Sequence, residues 1–129
     1  MNISLELNGL EEIIDRAEQM YGNVDKAMDA YLLAYGNVIL EEEQRLVRVD
    51  TGKTKRALKV SKVKTKQSVK SVWIGDVDKK RGAIPWYLEY GNSRGTKFPF
   101  MRPAAYRKKV EGMEKGLQAF EEALRNGNN

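Results

Sequence analysis

LKVSKVKTKQSVKSVWIG, residues 58–75, is the stretch that decides the fold class. It is rich in β-branched residues, and its apolar positions alternate imperfectly with lysines and serines, a pattern typical of β-strands. We predict two antiparallel strands, 58–64 and 68–75, joined near Lys66 and Gln67. These residues do not match the usual chemistry of a tight hairpin turn, so the pattern leaves the strand register open.

Helical patterns and one more strand precede this hairpin. Residues 2–7 alternate between apolar and polar side chains, which predicts a short first strand. Asn8 is a good N-cap for a helix over residues 10–20, whose apolar positions follow helical spacing. Gly22 and Asn23 are expected to end that helix.

The longest predicted helix runs from about Val24 to about Val49 and carries one apolar stripe. Its acidic run, Glu41–Glu43, is expected to face water. Asp50-Thr51-Gly52 is expected to end the helix, because Gly52 can adopt positive φ and the two polar side chains can bond freed backbone groups. Thr54 is then expected to cap a single helical turn that ends at Leu58.

Residues 76–129 contain a charged loop, an aromatic segment and a final helix. The loop Asp76–Gly82 has little that is apolar to anchor it, and the segment Ala83–Tyr90 fits either a third strand or a short helix. Pro103 suits the first turn of the last helix, and residues 126–129 are expected to fray. The stripe of that helix recurs at steps of three and four residues: Tyr106, Val110, Met113, Leu117, Phe120 and Leu124.

Together these elements predict an α+β fold, in which two N-terminal helices and one C-terminal helix pack on a small, mostly antiparallel sheet. The chain has 129 residues, which suits one domain over residues 1–129 and is too short for two. No internal repeat or linker divides it.

The composition excludes several classes of chemistry. The chain has no cysteine and no histidine, so disulfides, thiolate zinc sites, thiol nucleophiles and histidine-based catalysis are ruled out. We expect no enzyme activity, no metal and no cofactor. No apolar run is long enough for a membrane span, and the acidic N-terminus lacks an apolar signal core, which favours a soluble cytosolic protein.

Charge is segregated along the chain. Residues 1–50 carry 11 acidic and 4 basic side chains, whereas residues 51–110 carry 17 basic and 3 acidic ones. This asymmetry fits a face that attracts a polyanion, pairing between the acidic helices and basic strands of one chain, or head-to-tail docking of copies. A solvated lysine-rich surface, in which lysines protect edge strands from unwanted pairing, remains the simplest interpretation.

The basic residues expected to face a partner or DNA lie before and after the hairpin: Lys53, Lys55, Arg56, Lys79, Lys80 and Arg81. No aromatic residue interleaves with the lysines, so base stacking is not expected. Attraction to a phosphate backbone without sequence preference is consistent with the pattern.

Glu89 lies among aromatic and apolar residues, where a carboxylate is costly to bury unless it is paired. Arg102 is a suitable partner, since it too is flanked by apolar residues and prolines. We predict a contact between Glu89 and Arg102 that ties the aromatic segment to the start of the last helix. Phe98 and Phe100 are expected to fill the core or a site on a neighbouring subunit.

Three segments, in this order, resemble the small tail-component family of long-tailed bacteriophages, which includes neck and tail-completion proteins. They are Asp50–Leu58, Trp86–Gly91 and Pro99–Ala104, and the resemblance extends over about residues 8–125. Val49 and Asn92 depart from the family pattern, which usually has proline and threonine there. The matching residues to which the resemblance gives a structural role are Thr51, Gly52, Tyr87, Glu89, Gly91, Pro99, Phe100, Arg102 and Pro103.

The resemblance implies a structural virion protein of the head–tail junction, in a phage or prophage, that acts in tail completion or head–tail joining. It further implies a homo-oligomeric ring around the DNA channel, with neck and tail-tube proteins as neighbours and with assembly in the host cytoplasm. The alternative is a nucleic-acid-binding module without sequence preference that uses the basic region 53–81.

Overall fold

One antiparallel sheet and six helices make up the described part of the chain, so the predicted α+β class is confirmed. The computed structural model describes residues 2–7, 9–47, 52–91 and 99–127. The strands are β1 (Asn2–Glu6), β2 (Lys59–Val60), β3 (Lys64–Lys66) and β4 (Val69–Gly75). The helices are α1 (Glu11–Tyr21), α2 (Asp25–Leu46), α3 (Lys53–Ala57), α4 (Ile84–Tyr90), α5 (Met101–Arg107) and α6 (Lys109–Gly127).

Strand β4 lies at the centre of the sheet. Strand β1 pairs antiparallel with one of its edges, with Ile3 opposite Ile74. Strands β2 and β3 both pair with the other edge, with Val60 also opposite Ile74. The first strand of the sequence therefore lies beside the last, because β4 accepts partners on both sides.

The predicted strand over 58–64 is interrupted by a bulge. Val60 is opposite Ile74 and Lys64 is opposite Ser71, so this edge contains one more residue than β4 does between these pairs. Ser61 occupies the irregular position: its N–H donates to the carbonyl of Trp73 at 2.8 Å, and its hydroxyl accepts the Trp73 N–H at 2.9 Å. The serine hydroxyl thus provides the acceptor for the Trp73 N–H at the point where the strand register shifts.

The hairpin turn consists of Gln67 and Ser68, one residue later than predicted. Both residues have positive φ, 51° and 66°, as a tight turn that matches the twist of the strands requires. The sequence signal was weak because neither residue is a glycine or asparagine, which adopt this conformation at the lowest cost.

The core lies between the sheet and helix α2. Leu32 and Ile39 of α2 and Val72 and Ile74 of β4 are all buried. Gly36 lets the helix approach the sheet closely, since a Cβ at this position would lie 3.0 Å from a methyl carbon of Val60. The glycine that weakens α2 locally therefore has a packing role.

Helix α6 packs lengthwise on α2 through two glycines. A Cβ on Gly112 would lie 2.6 Å from the ring of Tyr35, and one on Gly116 would lie 2.8 Å from the ring of Tyr31. The two tyrosine rings contact each other edge to face, with their centroids 6.0 Å apart. Because Gly112 and Gly116 have no side chains, α6 leaves room for this aromatic pair.

Several helix boundaries differ from the prediction. Helix α2 ends at Leu46 instead of near Val49, and the predicted final helix is divided into α5 and α6 at Lys108, whose φ and ψ are −105° and 14°. Helix α6 continues through Gly127 into the segment expected to fray. The Asn8 cap, Asp50, Thr51 and the last two residues, 128–129, lie outside the described residues.

Part of the segregated charge is paired within the chain. The Lys70 ammonium of β4 lies 2.6 Å from a carboxylate oxygen of Asp29 and 2.9 Å from one of Asp25, both on α2. An acidic helix and a basic strand thus pair across the layer, which is one of the alternatives that the sequence left open. None of the helices in the described ranges combines the length and apolar composition that crossing a bilayer requires.

Candidate functional site

The predicted contact between Glu89 and Arg102 is confirmed, and it links two helices. Arg102 Nε donates to Glu89 Oε2 at 3.0 Å, and its Nη2 donates to the Glu89 carbonyl oxygen at 3.3 Å. The segment that carries Glu89 is helix α4 and not a third strand. The contact therefore fastens the end of α4 to the beginning of α5.

Glu89 also caps helix α5 from outside that helix. Its Oε1 accepts the backbone N–H groups of Phe100 and Met101, each at 2.5 Å, and its side chain has no exposed surface. The first N–H groups of a helix have no partner within the helix, and α5 has no side-chain cap of its own. The carboxylate is stabilised by these donors and by the positive end of the helix, which compensates for its burial.

The ends of this link are shaped by a glycine and two prolines. Gly91 ends α4 with φ 94°, a backbone conformation that a residue with a Cβ adopts only with strain. Pro99 is exposed, and Pro103 lies half-buried in the first turn of α5, as predicted. Phe100 is fully buried among Val47, Leu58 and Met101, as expected, whereas Phe98 lies outside the described residues.

Helix α4 presents an aromatic surface to solvent, formed by Trp86, Tyr87 and Tyr90. Their exposed fractions are 52%, 53% and 41%. Trp86 and Tyr90 contact each other with ring centroids 4.4 Å apart, and the guanidinium carbon of Arg102 lies 4.5 Å from the centre of the Tyr90 ring. Arg102 therefore connects the buried carboxylate to this aromatic surface by a cation–π contact. The sequence signal for this surface was a short helix with aromatic residues on successive turns. That signal was ambiguous, because the same residues also fitted a third strand.

Glu43 is a buried carboxyl that the sequence interpretation missed. The run Glu41–Glu43 was expected to face water, but only Glu41 does so, whereas Glu42 and Glu43 are buried. Glu43 follows the buried Ile39 by four residues and precedes the buried Val47 by four, so it lies on the core side of α2. This helical spacing was the sequence signal for burial of Glu43, but the acidic residues beside it favoured an exposed position.

The two buried glutamates have opposite electrostatic environments. Neither carboxyl oxygen of Glu43 has a hydrogen-bond partner in the described chain; burial, together with the charge of Glu89, raises its pKa to about 8. Glu42 instead accepts a hydrogen bond from Arg45 Nε, and this bond holds the pKa of Glu42 below its usual value. At neutral pH Glu43 is mainly protonated and Glu42 is ionised.

The two basic segments that the sequence singled out lie side by side. We call this the basic surface: Lys53, Lys55 and Arg56 of α3 with Lys79, Lys80 and Arg81 of the following turn. The segments are joined at two points, since Lys59 Nζ lies 2.7 Å from Asp78 Oδ2 and Arg81 Nε donates to Thr54 Oγ1 at 3.1 Å. Thr54 is thus a buried partner of Arg81 and not the helix cap that was predicted; α3 begins one residue earlier, after Gly52 with φ 78°.

Asp76 anchors the turn that carries Lys79, Lys80 and Arg81. It is buried, and its two carboxylate oxygens accept the backbone N–H groups of Lys80 and Arg81 at 2.9 and 2.7 Å. Lys79 has a φ of 57° within the turn. One polar side chain therefore holds this segment, although the segment has little apolar surface, and this anchoring role of Asp76 was not predicted.

The described residues form an exposed aromatic surface and a basic surface on the outside of the chain. Within the described ranges, no three acidic, histidine or cysteine side chains converge as metal ligands. No protein-family model, curated protein or solved structure matches the chain. Three features of the described residues bear on function: the aromatic surface, the basic surface and the Glu89–Arg102 link that holds α4 against α5.

Proposed function

We propose that the chain is a structural, non-enzymatic protein of the head–tail junction of a long-tailed phage or prophage. It acts in tail completion or head–tail joining as a homo-oligomeric ring, bound to neck and tail-tube proteins in the virion after assembly in the host cytoplasm. The observation that carries this proposal is the Glu89–Arg102 link. It joins two separate segments of the family resemblance, 86–91 and 99–104, into one unit.

That unit is suited to contact other proteins. Tryptophan, tyrosine and arginine are the residues most often responsible for binding energy at protein interfaces. Here Trp86, Tyr87 and Tyr90 lie half-exposed on one short helix, beside the half-exposed Arg102. Because Glu89 holds Arg102 and the start of α5, the aromatic side chains are presented from a fixed support.

The test is disruption of the gene in the phage or prophage that encodes this chain, followed by electron microscopy of the lysate. We expect DNA-filled heads and separate tails, and we expect the intact chain supplied in trans to restore joined particles. Trp86→Ser with Tyr87→Ser should fold but fail to restore them. Trp73→Ser is the matched control, because Trp73 is 40% exposed and lies on strand β4 instead of α4. Joined, infectious particles from the disrupted phage would overturn the proposal.

The second candidate is binding to nucleic acid without sequence preference, and the basic surface favours it. Two basic segments more than 20 residues apart in sequence are packed together, so their charges act on one region of solvent. In a ring, the same surface would face DNA in the channel or an acidic surface of a neighbour.

Salt dependence separates the two candidates. If the isolated monomer binds duplex DNA through phosphates, the logarithm of its binding constant should fall steeply with the logarithm of salt concentration. Replacing Lys79 and Lys80 by glutamine should reduce that slope by about two, since each phosphate contact contributes about one. Strong binding by the monomer would favour this candidate, and absence of binding at low salt would exclude it.

A further inference from the structure

Helix α4 directs large apolar side chains to solvent. Ile84 is 39% exposed and lies on the same short helix as the aromatic surface. Four of the seven residues of α4 are therefore large, apolar and exposed, whereas its buried residues are Pro85 and Glu89. An exposed apolar patch of this kind marks a contact with another molecule.

The charges around the aromatic surface are mainly positive. Residues 76–107 contain seven basic side chains and three acidic ones. Each acidic side chain is engaged within the chain. Asp76 and Glu89 are buried and accept backbone N–H groups, and Asp78 pairs with Lys59 at 2.7 Å. The charge that this segment directs to solvent is therefore positive, and it attracts an acidic partner.

Basic side chains lie at both ends of α4. The turn 79–81 leads directly into the helix, since the Ile84 N–H donates to the Arg81 carbonyl oxygen at 3.2 Å. At the other end, Arg102 bonds Glu89 through its Nε and Nη2 atoms. These bonds do not use Nη1, and the Arg102 side chain is 53% exposed, so Arg102 presents a charged donor to a partner carboxylate.

The ring geometry favours protein side chains over nucleobases as the contacting groups. Trp86 and Tyr90 lie against each other with their ring planes 44° apart, and Arg102 lies over the Tyr90 ring. Bases bind by stacking on free ring faces, whereas side chains of this chain already lie against these two rings. Apolar protein side chains pack equally well on ring edges and on the aliphatic Ile84.

We propose that α4 binds an acidic segment of a partner protein. Apolar side chains of that segment pack on the aromatic surface and on Ile84, and its carboxylates pair with Arg102 and with the basic turn 79–81. The rings supply most of the binding energy, and the charges set the orientation of the segment. This inference rests on the proposed function, because it identifies the chemistry of the partner that the aromatic surface binds there.

Two substitutions of opposite charge at one exposed position test the sign of the partner. Tyr87→Glu and Tyr87→Lys both replace a side chain that is 53% exposed, so both variants should fold, which thermal unfolding checks. Each variant is supplied in trans to the phage or prophage in which the gene is disrupted. We expect Tyr87→Lys to restore joined particles and Tyr87→Glu to fail, because a like charge opposes the acidic segment. The same pair of changes at Trp86 repeats the test.

The matched controls are Val69→Glu and Val69→Lys. Val69 is 41% exposed on the sheet, and both variants should restore joined particles. If the two variants of each α4 pair behave alike, whether both restore or both fail, the sign of the charge has no effect and the acidic partner is excluded. Restoration by the glutamate variants alone would require a basic partner and would overturn the proposal too.

Second-site suppressors identify the partner. Phage that regain joined particles in the Tyr87→Glu background should carry a change from an acidic to a neutral or basic residue in the gene of another virion protein. Suppressors at acidic residues of this chain would show that a second copy occupies the surface. Suppressors that alter no acidic residue would exclude a contact with carboxylates, and either result would overturn the proposal.

Nucleic acid as the occupant is tested by fluorescence anisotropy with a labelled oligo-dT strand. The intact chain and Trp86→Ser should bind this strand with the same affinity. A loss of about fivefold or more for Trp86→Ser would show that bases stack on this ring, and it would overturn the protein partner.

Failure of this inference differs from failure of the proposed function. If the disrupted phage yields joined particles without the chain, the head–tail role and the inference fall together. If the intact chain is required but the two variants of each α4 pair behave alike, the acidic partner is wrong and the head–tail role stands.

Discussion

Arg102 and Glu89 meet at 3.0 Å, yet they are buried to different extents. The Glu89 side chain has no exposed surface, whereas the Arg102 side chain is 53% exposed. Glu89 also accepts hydrogen bonds from two backbone N–H groups at the start of α5, and these bonds do not involve Arg102. The cost of removing a charge from water therefore falls on Glu89, and the two partners contribute unequally to stability.

Substitution of either partner should reveal this inequality. Glu89→Ala is expected to lower the free energy of unfolding by about 3–5 kcal/mol, because it leaves buried N–H donors and removes the cap of α5. Arg102→Ala should cost less, about 1.5–3 kcal/mol, because Glu89 keeps its backbone donors and solvent screens the half-exposed guanidinium. Urea unfolding of the two single variants and the double variant measures these values. The double variant should lose less than the sum of the single losses, and strict additivity would contradict the contact.

The pH dependence of the free energy of unfolding should reflect the raised pKa of Glu43. Burial raises the pKa of Glu43 to about 8 in the folded chain, against an ordinary value of 4.5. Between pH 4.5 and pH 8 the folded protein binds a proton that the unfolded chain has released. The stabilisation that this proton linkage provides is therefore complete below about pH 4.5 and is lost as the pH rises to about 8. Glu43→Gln removes this proton linkage. Over the same pH interval, the free energy of unfolding of the variant should therefore fall less than that of the intact chain, by on the order of a few kcal/mol.

Urea titrations at a series of pH values compare the variant with the intact chain. Glu41→Gln is the control, since Glu41 is the exposed member of the same acidic run and should keep the slope of the intact chain. Parallel profiles for the intact chain and Glu43→Gln would show that the pKa of Glu43 is not raised in the folded protein.

Gly116→Ala should destabilise the protein although alanine is the better helix former. The added Cβ would lie 2.8 Å from the ring of the buried Tyr31 and 3.2 Å from its carbonyl oxygen, so α6 must move away from α2. We expect a loss of about 1–3 kcal/mol, as for other overpacked sites. Gln118→Ala, on the exposed side of the same helix, should change stability by less than about 0.5 kcal/mol. Thermal unfolding checks both, and a gain in stability for Gly116→Ala would contradict the close helix contact.

Asp76→Ala should loosen the turn of the basic surface. It removes the acceptor for the Lys80 and Arg81 N–H groups, and we expect a loss of about 1–3 kcal/mol with faster amide exchange at those two residues. Asp78→Ala is the matched control, because Asp78 is exposed and its ion pair is with the exposed Lys59, so its effect should stay within about 1 kcal/mol. Equal exchange rates in the intact chain and Asp76→Ala would exclude the anchoring role.

The Glu89–Arg102 contact was predictable because it follows from composition and burial. A carboxylate and a guanidinium that both lie among apolar residues each need a partner, and each was the obvious partner of the other. The burial of Glu43 was not predictable in the same way. A run of acidic residues normally faces water, and what covers this side of α2 is the cluster around Phe100 and Met101, which is more than 50 residues away in sequence.

Local periodicity in the sequence by itself determined the α+β class, the stripes of the helices and the alternation of the strands, because helices and strands repeat every few residues. Tertiary structure alone decided which parts of those patterns are covered. The stripe that begins at Tyr106 is regular in the sequence, but the rest of the chain covers only its second half, at Phe120 and Leu124, and leaves Tyr106 and Val110 in solvent. Likewise, the two basic segments become one surface through tertiary contacts, of Arg81 with Thr54 and of Lys59 with Asp78. Contacts of this kind depend on how distant elements pack, and no local repeat encodes that packing.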